Sequence, residues 1–191
     1  MSAPTAAAVR ALVIVDIQNA FVTGDDAAPE SEQLLINLDD LVRRARQVGA
    51  LVVHLQNDGA PGAVDEPGRP GWELHFPVAE SGREVVIRKR KDDGFDCTAL
   101  EEILRQHEVG RICVVGVMSE MCVLATARGA LERGFDVVLP HDGHATFDIG
   151  PAPGTTEGVP AAMASRVAEW ALGDEVEVIG HTTDVIFESI S

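Results

Sequence analysis

The sequence predicts an α/β fold, a three-layer α/β/α sandwich built around a six-stranded, mostly parallel sheet. Short runs of β-branched and aliphatic residues alternate along the chain with longer stretches whose apolar residues recur at helical spacing. Strands that are buried on both faces of a parallel sheet have such continuous apolar runs. Because parallel neighbours are joined by right-handed helical crossovers, the alternation predicts helices on both faces of the sheet.

The first predicted strand is residues 11–15 (ALVIV), an uninterrupted apolar run that is followed directly by Asp16. The second, residues 51–55 (LVVHL), has the same character apart from His54. The remaining strands are predicted at residues 85–88, 112–117, 137–140 and 176–179.

Four amphipathic stretches predict helices, at residues 34–48, 98–107, 119–133 and 160–172. Glycine follows three of them, at Gly49, Gly134 and Gly173, as is typical of helix C-termini. Two stretches rich in Gly and Pro, residues 57–71 and 143–158, predict loops. Ligands of open α/β sheets bind outside the carboxyl ends of the strands, so both loops are candidate pocket walls.

The chain has 191 residues and no internal linker, which indicates one domain over residues 1–191 with a flexible start at residues 1–9. It has neither the basic start of a secretion signal nor an apolar run of about 20 residues that could cross a bilayer, so we expect a cytoplasmic protein with no membrane partner. Its three cysteines are irregularly spaced, which predicts free thiols.

The formal net charge of −16 argues against nucleic-acid binding, because a polyanion would be repelled. The same charge would attract a cationic substrate. The alternative is that the acidity serves only solubility.

Three residues at predicted strand ends could take part in chemistry. Asp16 ends an apolar strand, where it could also be a loop-capping acid. Lys89 follows a buried strand, where its ammonium group needs a counterion or solvent. Cys122 lies where a strand gives way to a helix, and the helix dipole there would lower its pKa while free N–H groups could bind an oxyanion. The alternative for this cysteine is a small buried apolar residue, which is the expected role of Cys113 within its strand. Cys97 is interpreted as structural, with a role in the pocket as the alternative because it follows the third predicted strand closely.

Three segments together carry a family resemblance: VIVDIQNAF (residues 13–21), VVIRKRKDDGFDCTAL (85–100) and GVMSEMCVLATARGALERGFDVVLPHDGHAT (116–146). They resemble the three signature blocks of the isochorismatase-like cysteine hydrolases, in the family's order and at its spacing. The resemblance extends over nearly the whole chain and implies the isochorismatase-like hydrolase fold.

The resemblance implies that Asp16, Lys89 and Cys122 form an Asp-Lys-Cys catalytic triad. Lys89 is preferred to Lys91 because the family's lysine stands six residues before an aromatic residue, here Phe95. The resemblance also implies a cis peptide between Val117 and Met118, and an oxyanion hole formed by the N–H groups of Met118 and Cys122. In this mechanism Asp16 takes the thiol proton, the sulfur attacks a carbonyl group, and water hydrolyses the resulting thioester.

Differences between this sequence and other family members indicate which reaction to expect. Relatives that bind a metal carry an Asp-x-His pair after the second strand, and this chain has His54-Leu55-Gln56-Asn57-Asp58 there. We therefore expect neither a metal nor any other cofactor, and His54 is interpreted as a core residue. The cysteine is intact, which favours hydrolysis of an amide or lactam C–N bond over hydrolysis of a vinyl ether.

The substrate is expected to be a small-molecule amide, with a cationic molecule favoured by the chain's charge. The alternatives are a neutral ureido, carbamoyl or carboxamide compound and a non-catalytic binding protein on the same fold. Family members usually form homodimers or higher homo-oligomers, which the resemblance implies here too. The candidate pocket residues, each of which could instead pack in the core, are Phe21, Trp72, His75, Phe95, Met118 and His144.

Overall fold

The computed structural model describes residues 8–190 and contains one parallel sheet of seven strands. The strands are β1 (Ala11–Val15), β2 (Leu51–Asn57), β3 (Glu84–Lys89), β4 (Arg111–Val117), β5 (Asp136–Pro140), β6 (His144–Ala145) and β7 (Val176–Ile179). Their order across the sheet is β3-β2-β1-β4-β5-β7, with β6 paired to β4, and every pairing is parallel. The predicted α/β fold is confirmed, and the six predicted strands are present.

The seventh strand, β6, is the one element of the sheet that the sequence pattern does not predict. It has two residues, His144 and Ala145, which pair with Gly116 and Val117 at the end of β4. A two-residue strand is too short to have a hydrophobic period. It nevertheless fixes the position of His144 next to the end of β4.

The helices are α1 (Asn19–Val22), α2 (Ser31–Val48), α3 (Leu100–Gln106), α4 (Leu124–Glu132) and α5 (Ala161–Ala171). The four predicted helices are therefore present as α2 to α5, and the short α1 is additional. The third predicted helix begins with a π-helical turn, Ser119–Val123, before α4 continues it. Such turns interrupt the regular hydrogen-bond ladder and are frequent at functional sites.

Two hydrophobic cores lie on the two faces of the sheet. Along β1, Ala11, Val13 and Val15 belong to the core that includes α3 and α4, while Leu12 and Ile14 belong to the core that includes α2. Successive side chains of a strand point to opposite faces, so a strand covered on both faces is apolar throughout. The continuous apolar runs of the sequence follow from this layered arrangement.

The start of the described chain is held in place. Val9 is buried, its N–H donates to the carbonyl oxygen of Ile186 at 2.8 Å, and its own carbonyl accepts from the N–H of Glu188 at 2.9 Å. The flexible start expected for residues 1–9 therefore does not extend to Val9, because the C-terminal segment pairs with it. Residues 1–7 of that prediction lie outside the described residues.

Gly116 allows β4 to lie close against β1 at the carboxyl edge of the sheet. Its φ is 126°, and a Cβ atom at this position would lie 2.1 Å from the carbonyl oxygen of Val15. Any other residue would meet that backbone oxygen, so glycine is required by both the conformation and the contact. The ends of β1 and β4, which lead to Asp16 and Cys122, are thereby brought side by side.

Among residues 8–190, no helix combines the length and the apolar composition that a bilayer crossing requires.

Candidate active site

Asp16, Lys89 and Cys122 converge at the carboxyl edge of the sheet. Lys89 Nζ lies 2.7 Å from Asp16 Oδ2 and 3.3 Å from Cys122 Sγ. Asp16 follows β1, Lys89 ends β3, and Cys122 lies in the π-helical turn after β4. Lys91 is exposed, so the structure distinguishes the two lysines and places Lys89 between the acid and the thiol.

All three groups are almost fully buried. The residues Asp16, Lys89 and Cys122 are 3%, 2% and 6% exposed, respectively. Only a small part of this group faces solvent, which favours access by a small group of atoms or by one extended arm of a larger molecule.

The backbone turns sharply at Asp16. This residue has a φ of 50°, its N–H donates to the carbonyl oxygen of Leu55, and its own carbonyl accepts from the N–H of Gln18 at 2.8 Å. A left-handed conformation is tolerated by Asp better than by most residues. The turn directs the carboxylate toward Lys89, and Oδ1 has no hydrogen-bond partner among residues 8–190. This carboxylate oxygen is therefore available to accept a proton.

Burial determines the resting charges of the group. Burial raises the pKa of Asp16, and the charge of Lys89 offsets this only in part. Burial lowers the pKa of Lys89, but the negative charges of Asp16 and of ionised Cys122 outweigh it and hold the pKa above its ordinary value. Burial, followed by the charge of Asp16, raises the pKa of Cys122 to about 12.

The lowered thiol pKa expected from the helix dipole is therefore wrong. Loss of solvent around Cys122 and the neighbouring carboxylate raise its pKa by more than the ammonium group of Lys89 lowers it. The raised pKa of Cys122 favours the thiol over the thiolate, and Asp16 and Lys89 lie in contact beside it. Such a thiol reacts when a base takes its proton during attack.

The segment before the nucleophile has an irregular backbone. The peptide bond between Val117 and Met118 is cis. The carbonyl oxygen of Met118 accepts from the N–H groups of Met121 and Val123, at 3.1 and 3.2 Å. These bonds tie the residue of the cis peptide to the turn that carries Cys122.

Several functional neighbours were not predicted from the sequence. Gln18 is fully buried; its amide nitrogen donates to the carbonyl oxygens of Asn57 and Trp72, at 3.1 and 2.9 Å, and its amide oxygen accepts from the N–H of Asn57 at 2.8 Å. It thereby joins the ends of β1 and β2 to the loop between β2 and β3. Asp92 Oδ1 lies 3.7 Å from Cys122 Sγ. Two features of the sequence could have indicated these neighbours. Gln18 is a polar residue two positions after Asp16, and Asp92 is an acid at the end of the basic run.

A second buried polar group adjoins the π-helical turn. Ser119 Oγ lies 2.8 Å from His144 Nδ1 and 2.9 Å from Ser165 Oγ. His144 Nε2 lies 3.2 Å from Glu169 Oε1, close enough for an ion pair although the two atoms are not aligned as a hydrogen bond. Burial opposes ionisation of Glu169, but its contacts with His144, His141 and Arg166 lower its pKa to about 2.

The candidate pocket residues have different surroundings. Phe21, Trp72, His75 and Met118 are partly buried. The Trp72 indole N–H donates to Asp58 Oδ1 at 3.1 Å, and the backbone N–H of His75 donates to the carbonyl oxygen of Ile17 at 2.9 Å. These bonds hold the loop after β2 against the segment that follows Asp16.

Phe95 and His144 differ from the expectation for pocket walls. Phe95 is buried in the core, with its ring centroid 5.8 Å from that of Phe135, because the chain turns inward after Asp93. His144 is buried because β6 places it between Ser119 and Glu169. Phe95 therefore packs in the apolar core beneath the site. His144 belongs to the buried polar group beside the site.

His54 is a core residue, as its place within a strand indicates. Its Nε2 lies 2.8 Å from Glu84 Oε1, and burial lowers its pKa. Over residues 8–190 no three His, Cys, Asp or Glu side chains are grouped as metal ligands would be.

The parallel sheet, with an acid, an amine and a thiol gathered at its carboxyl edge, defines a cysteine hydrolase. The chain belongs to the isochorismatase family, whose Isochorismatase domain matches residues 10–168. It is 60% identical over 190 residues to a streptothricin hydrolase of Streptomyces noursei, which covers 98% of this chain and 75% of the relative. A second streptothricin hydrolase of that organism is 59% identical over 179 residues, covering 94% of this chain and 65% of the relative. The crystal structure of an isochorismatase from Pseudomonas putida superposes with a TM-score of 0.84 at 26% identity, covering 97% of this chain and 94% of that one.

Proposed function

We propose that this protein is a cysteine-dependent hydrolase that opens an amide or lactam C–N bond of a small molecule through a thioester on Cys122. The observation that carries the proposal is the position of Lys89 Nζ, within 2.7 Å of Asp16 Oδ2 and 3.3 Å of Cys122 Sγ. An acid, an amine and a thiol in contact at the ends of three strands have the arrangement that nucleophilic catalysis requires.

The reaction begins from a neutral thiol. Asp16 accepts the proton of Cys122 while the sulfur forms a bond to the carbonyl carbon, and the carbonyl π electrons move onto oxygen. The N–H groups of Met118 and Cys122 stabilise that oxyanion. Lys89 keeps Asp16 in its charged form until the proton arrives and stabilises negative charge on the sulfur during transfer.

The intermediate then collapses and the C–N bond breaks. Protonated Asp16 gives its proton to the leaving nitrogen, so an amine leaves and a thioester remains. Asp16, again a carboxylate, takes a proton from water while the water oxygen attacks the thioester carbon. The C–S bond then breaks, and Asp16 returns the proton to the sulfur. The net reaction adds one water and yields a carboxylic acid, an amine and the free thiol.

We infer a cationic lactam of the streptothricin type as the substrate. The high identity to two streptothricin hydrolases over nearly the whole chain supports this, and so does the net charge of −16. Two further carboxylates lie near the site: Asp92 is beside the sulfur, and the charge of Asp65 acts on Asp16. Negative potential of this kind attracts cations and raises their local concentration.

Incubation with streptothricin followed by mass spectrometry tests the proposal. The expected product is heavier than the antibiotic by the mass of one water. Cys122→Ala should abolish product formation, whereas Cys97→Ala, which removes an exposed thiol, should leave it unchanged. Absence of the product with wild-type protein, or its formation by Cys122→Ala, would exclude the proposed reaction.

A neutral ureido, carbamoyl or carboxamide compound is the second candidate substrate. The small exposed fraction of the triad favours it, since little room is open at the sulfur. Screening by salt slows association of a cation with an acidic protein and affects a neutral substrate little. A fall in kcat/KM between low and high salt would support the cationic substrate, and no change would support the neutral one.

We propose further that the chain forms one domain, acts in the cytoplasm and assembles into a homodimer or higher homo-oligomer. Met163, Val167 and Trp170 are 60%, 61% and 80% exposed along one face of α5, which supports self-association. Arg166 is the one charged side chain exposed on this helix, so repulsion between copies is weak there. Sedimentation of the wild type as an oligomer and of Trp170→Glu as a monomer is expected; a monomeric wild type would contradict the assembly.

A further inference from the structure

Four buried polar side chains form a connected group behind the nucleophile: Ser119, His144, Ser165 and Glu169, here called the Ser119 cluster. Ser119 is 1% exposed, and its hydroxyl contacts both His144 Nδ1 at 2.8 Å and Ser165 Oγ at 2.9 Å. Glu169 is 2% exposed and lies 3.2 Å from the other nitrogen of His144. The triad chemistry uses none of these side chains.

Two different elements hold the cluster. His144 is fixed by the pairing of β6 with the end of β4, and Ser165 and Glu169 project from α5. Glu169 is in turn contacted by Arg166 and by His141, whose Nδ1 lies 2.5 Å away. The buried carboxylate therefore has a charged partner in Arg166 and a second contact in His141, and both fix its position from outside the cluster.

Ser119 connects the cluster to the active site because it lies in the turn that carries Cys122. It follows Met118 directly and lies three residues before Cys122, in the irregular turn between β4 and α4. The backbone of this short segment carries the N–H groups that the proposed mechanism assigns to the oxyanion. A turn that lacks the regular α-helical ladder needs other contacts to hold it, and displacement of such donors weakens catalysis strongly.

We infer that the Ser119 cluster holds the oxyanion-hole backbone in its working position, with Ser119 and Glu169 as positioning residues. This inference rests on the proposed function, because it concerns the same nucleophile. The hydroxyl of Ser119 joins the turn to His144, and Glu169 fixes the orientation of the imidazole. Loss of either contact lets the turn relax without removing the thiol, Asp16 or Lys89.

Two probes of Cys122 distinguish this role from a general structural one. Acylation by p-nitrophenyl acetate forms the S–C bond through a tetrahedral oxyanion, expels p-nitrophenolate and passes the thiol proton to Asp16. Alkylation by iodoacetamide forms the S–C bond at a saturated carbon and expels iodide, so no oxyanion develops. In variants that keep Asp16 and Lys89, a change in the ratio of the two rate constants at Cys122, followed by peptide mass spectrometry, reports a change in the oxyanion hole.

For Ser119→Ala and Glu169→Gln we expect acylation of Cys122 to slow about 10-fold or more, with alkylation within about twofold of wild type. Glu84→Gln is the matched control, because Glu84 is also a buried carboxylate contacted by a histidine and an arginine, His54 and Arg46, at the other end of the sheet. It should leave the ratio unchanged even if it lowers the melting temperature.

The inference is overturned if the acylation-to-alkylation ratio of Ser119→Ala equals that of wild type, or if Glu84→Gln lowers the ratio equally. Ser119→Ala removes only one oxygen atom, so we expect this variant to fold. The ratio can then still be measured if Glu169→Gln does not fold. Wild-type protein that is not acylated at Cys122 would contradict the proposed function and this inference together. Wild-type acylation with unchanged variant ratios would contradict this inference alone.

Discussion

The ammonium group of Lys89 lies 2.7 Å from the carboxylate of Asp16, although the strands that carry them, β3 and β1, are separated in the sheet by β2. Lys89 reaches this position across the end of β2, opposite Asn57. Both side chains are almost fully buried, so each is the other's main charge partner. Cys122 lies beside this pair, and burial together with the negative charge of Asp16 raises the pKa of its thiol.

Asp16→Asn should have opposite effects on hydrolysis and on simple alkylation. Loss of the base is expected to reduce hydrolysis about 10³-fold. The same change removes the carboxylate that raises the pKa of Cys122 and leaves Lys89 to pair with the thiolate. Alkylation of Cys122 by iodoacetamide at pH 8 should therefore become faster, measured by peptide mass spectrometry.

Lys91→Met is the control for this comparison, because its side chain is exposed and only its carbonyl oxygen contacts Lys89. Lys91→Met should change neither the rate of hydrolysis nor the rate of alkylation of Cys122. If Asp16→Asn slows alkylation as much as hydrolysis, the assigned electrostatics of the thiol are wrong.

Lys89→Met should destabilise the fold as well as abolish activity. Removing one partner of a buried ion pair leaves the other charge uncompensated and typically costs about 3–5 kcal/mol. Asp16 would then avoid its charge by binding a proton, so the loss should be smaller at pH 4 than at pH 7. Urea unfolding at both pH values measures this, and Arg43→Met, which breaks an exposed pair with Asp40, should cost less than about 1 kcal/mol.

Glu169 should make the stability of the protein depend on acid pH. Its pKa is lowered from 4.5 to about 2, so its stabilising contribution is complete above pH 4.5 and is lost as the pH falls toward 2. The difference in unfolding free energy between wild type and Glu169→Gln should shrink by about 2 kcal/mol between pH 5 and pH 3. A difference that stays constant over this range would show that Glu169 is not held as an anion.

Gly116→Ala should disrupt the junction of β1 and β4. The added Cβ would meet the carbonyl oxygen of Val15 at 2.1 Å, and backbone atoms cannot give way cheaply. We expect a loss of about 3 kcal/mol or more in unfolding free energy, with hydrolysis reduced in the protein that still folds. Gly110→Ala, where the added atom meets nothing within 4 Å, should change stability little.

The sheet could be predicted because its strands have an unbroken apolar pattern, and the ends of those strands located Asp16 and Cys122. The pattern could not distinguish Lys89 from Lys91, since both lie in one basic run and only the direction of the side chains separates them. The spacing of the family's lysine from a following aromatic residue favoured Lys89, and the contact of Lys89 with Asp16 agrees with this choice.

Other features depend on three-dimensional neighbours that no local pattern contains. The pKa of Cys122 follows from burial by several elements, so the helix terminus alone led to the wrong direction. His144 and Glu169 are brought together by β6 and α5, and a strand of two residues has no period to recognise. Phe95 stands close to Lys89 in sequence, yet it packs against Phe135 in the core.

Trapping the acyl-enzyme would show whether Cys122 is the nucleophile. Wild-type protein mixed with excess streptothricin, quenched in acid within its first turnovers and digested, should yield one modified peptide with the opened lactam attached to Cys122 as a thioester that hydroxylamine removes. Product that accumulates while Cys122 stays unmodified in the quenched samples, or a modification found on Cys97 instead, would contradict the account.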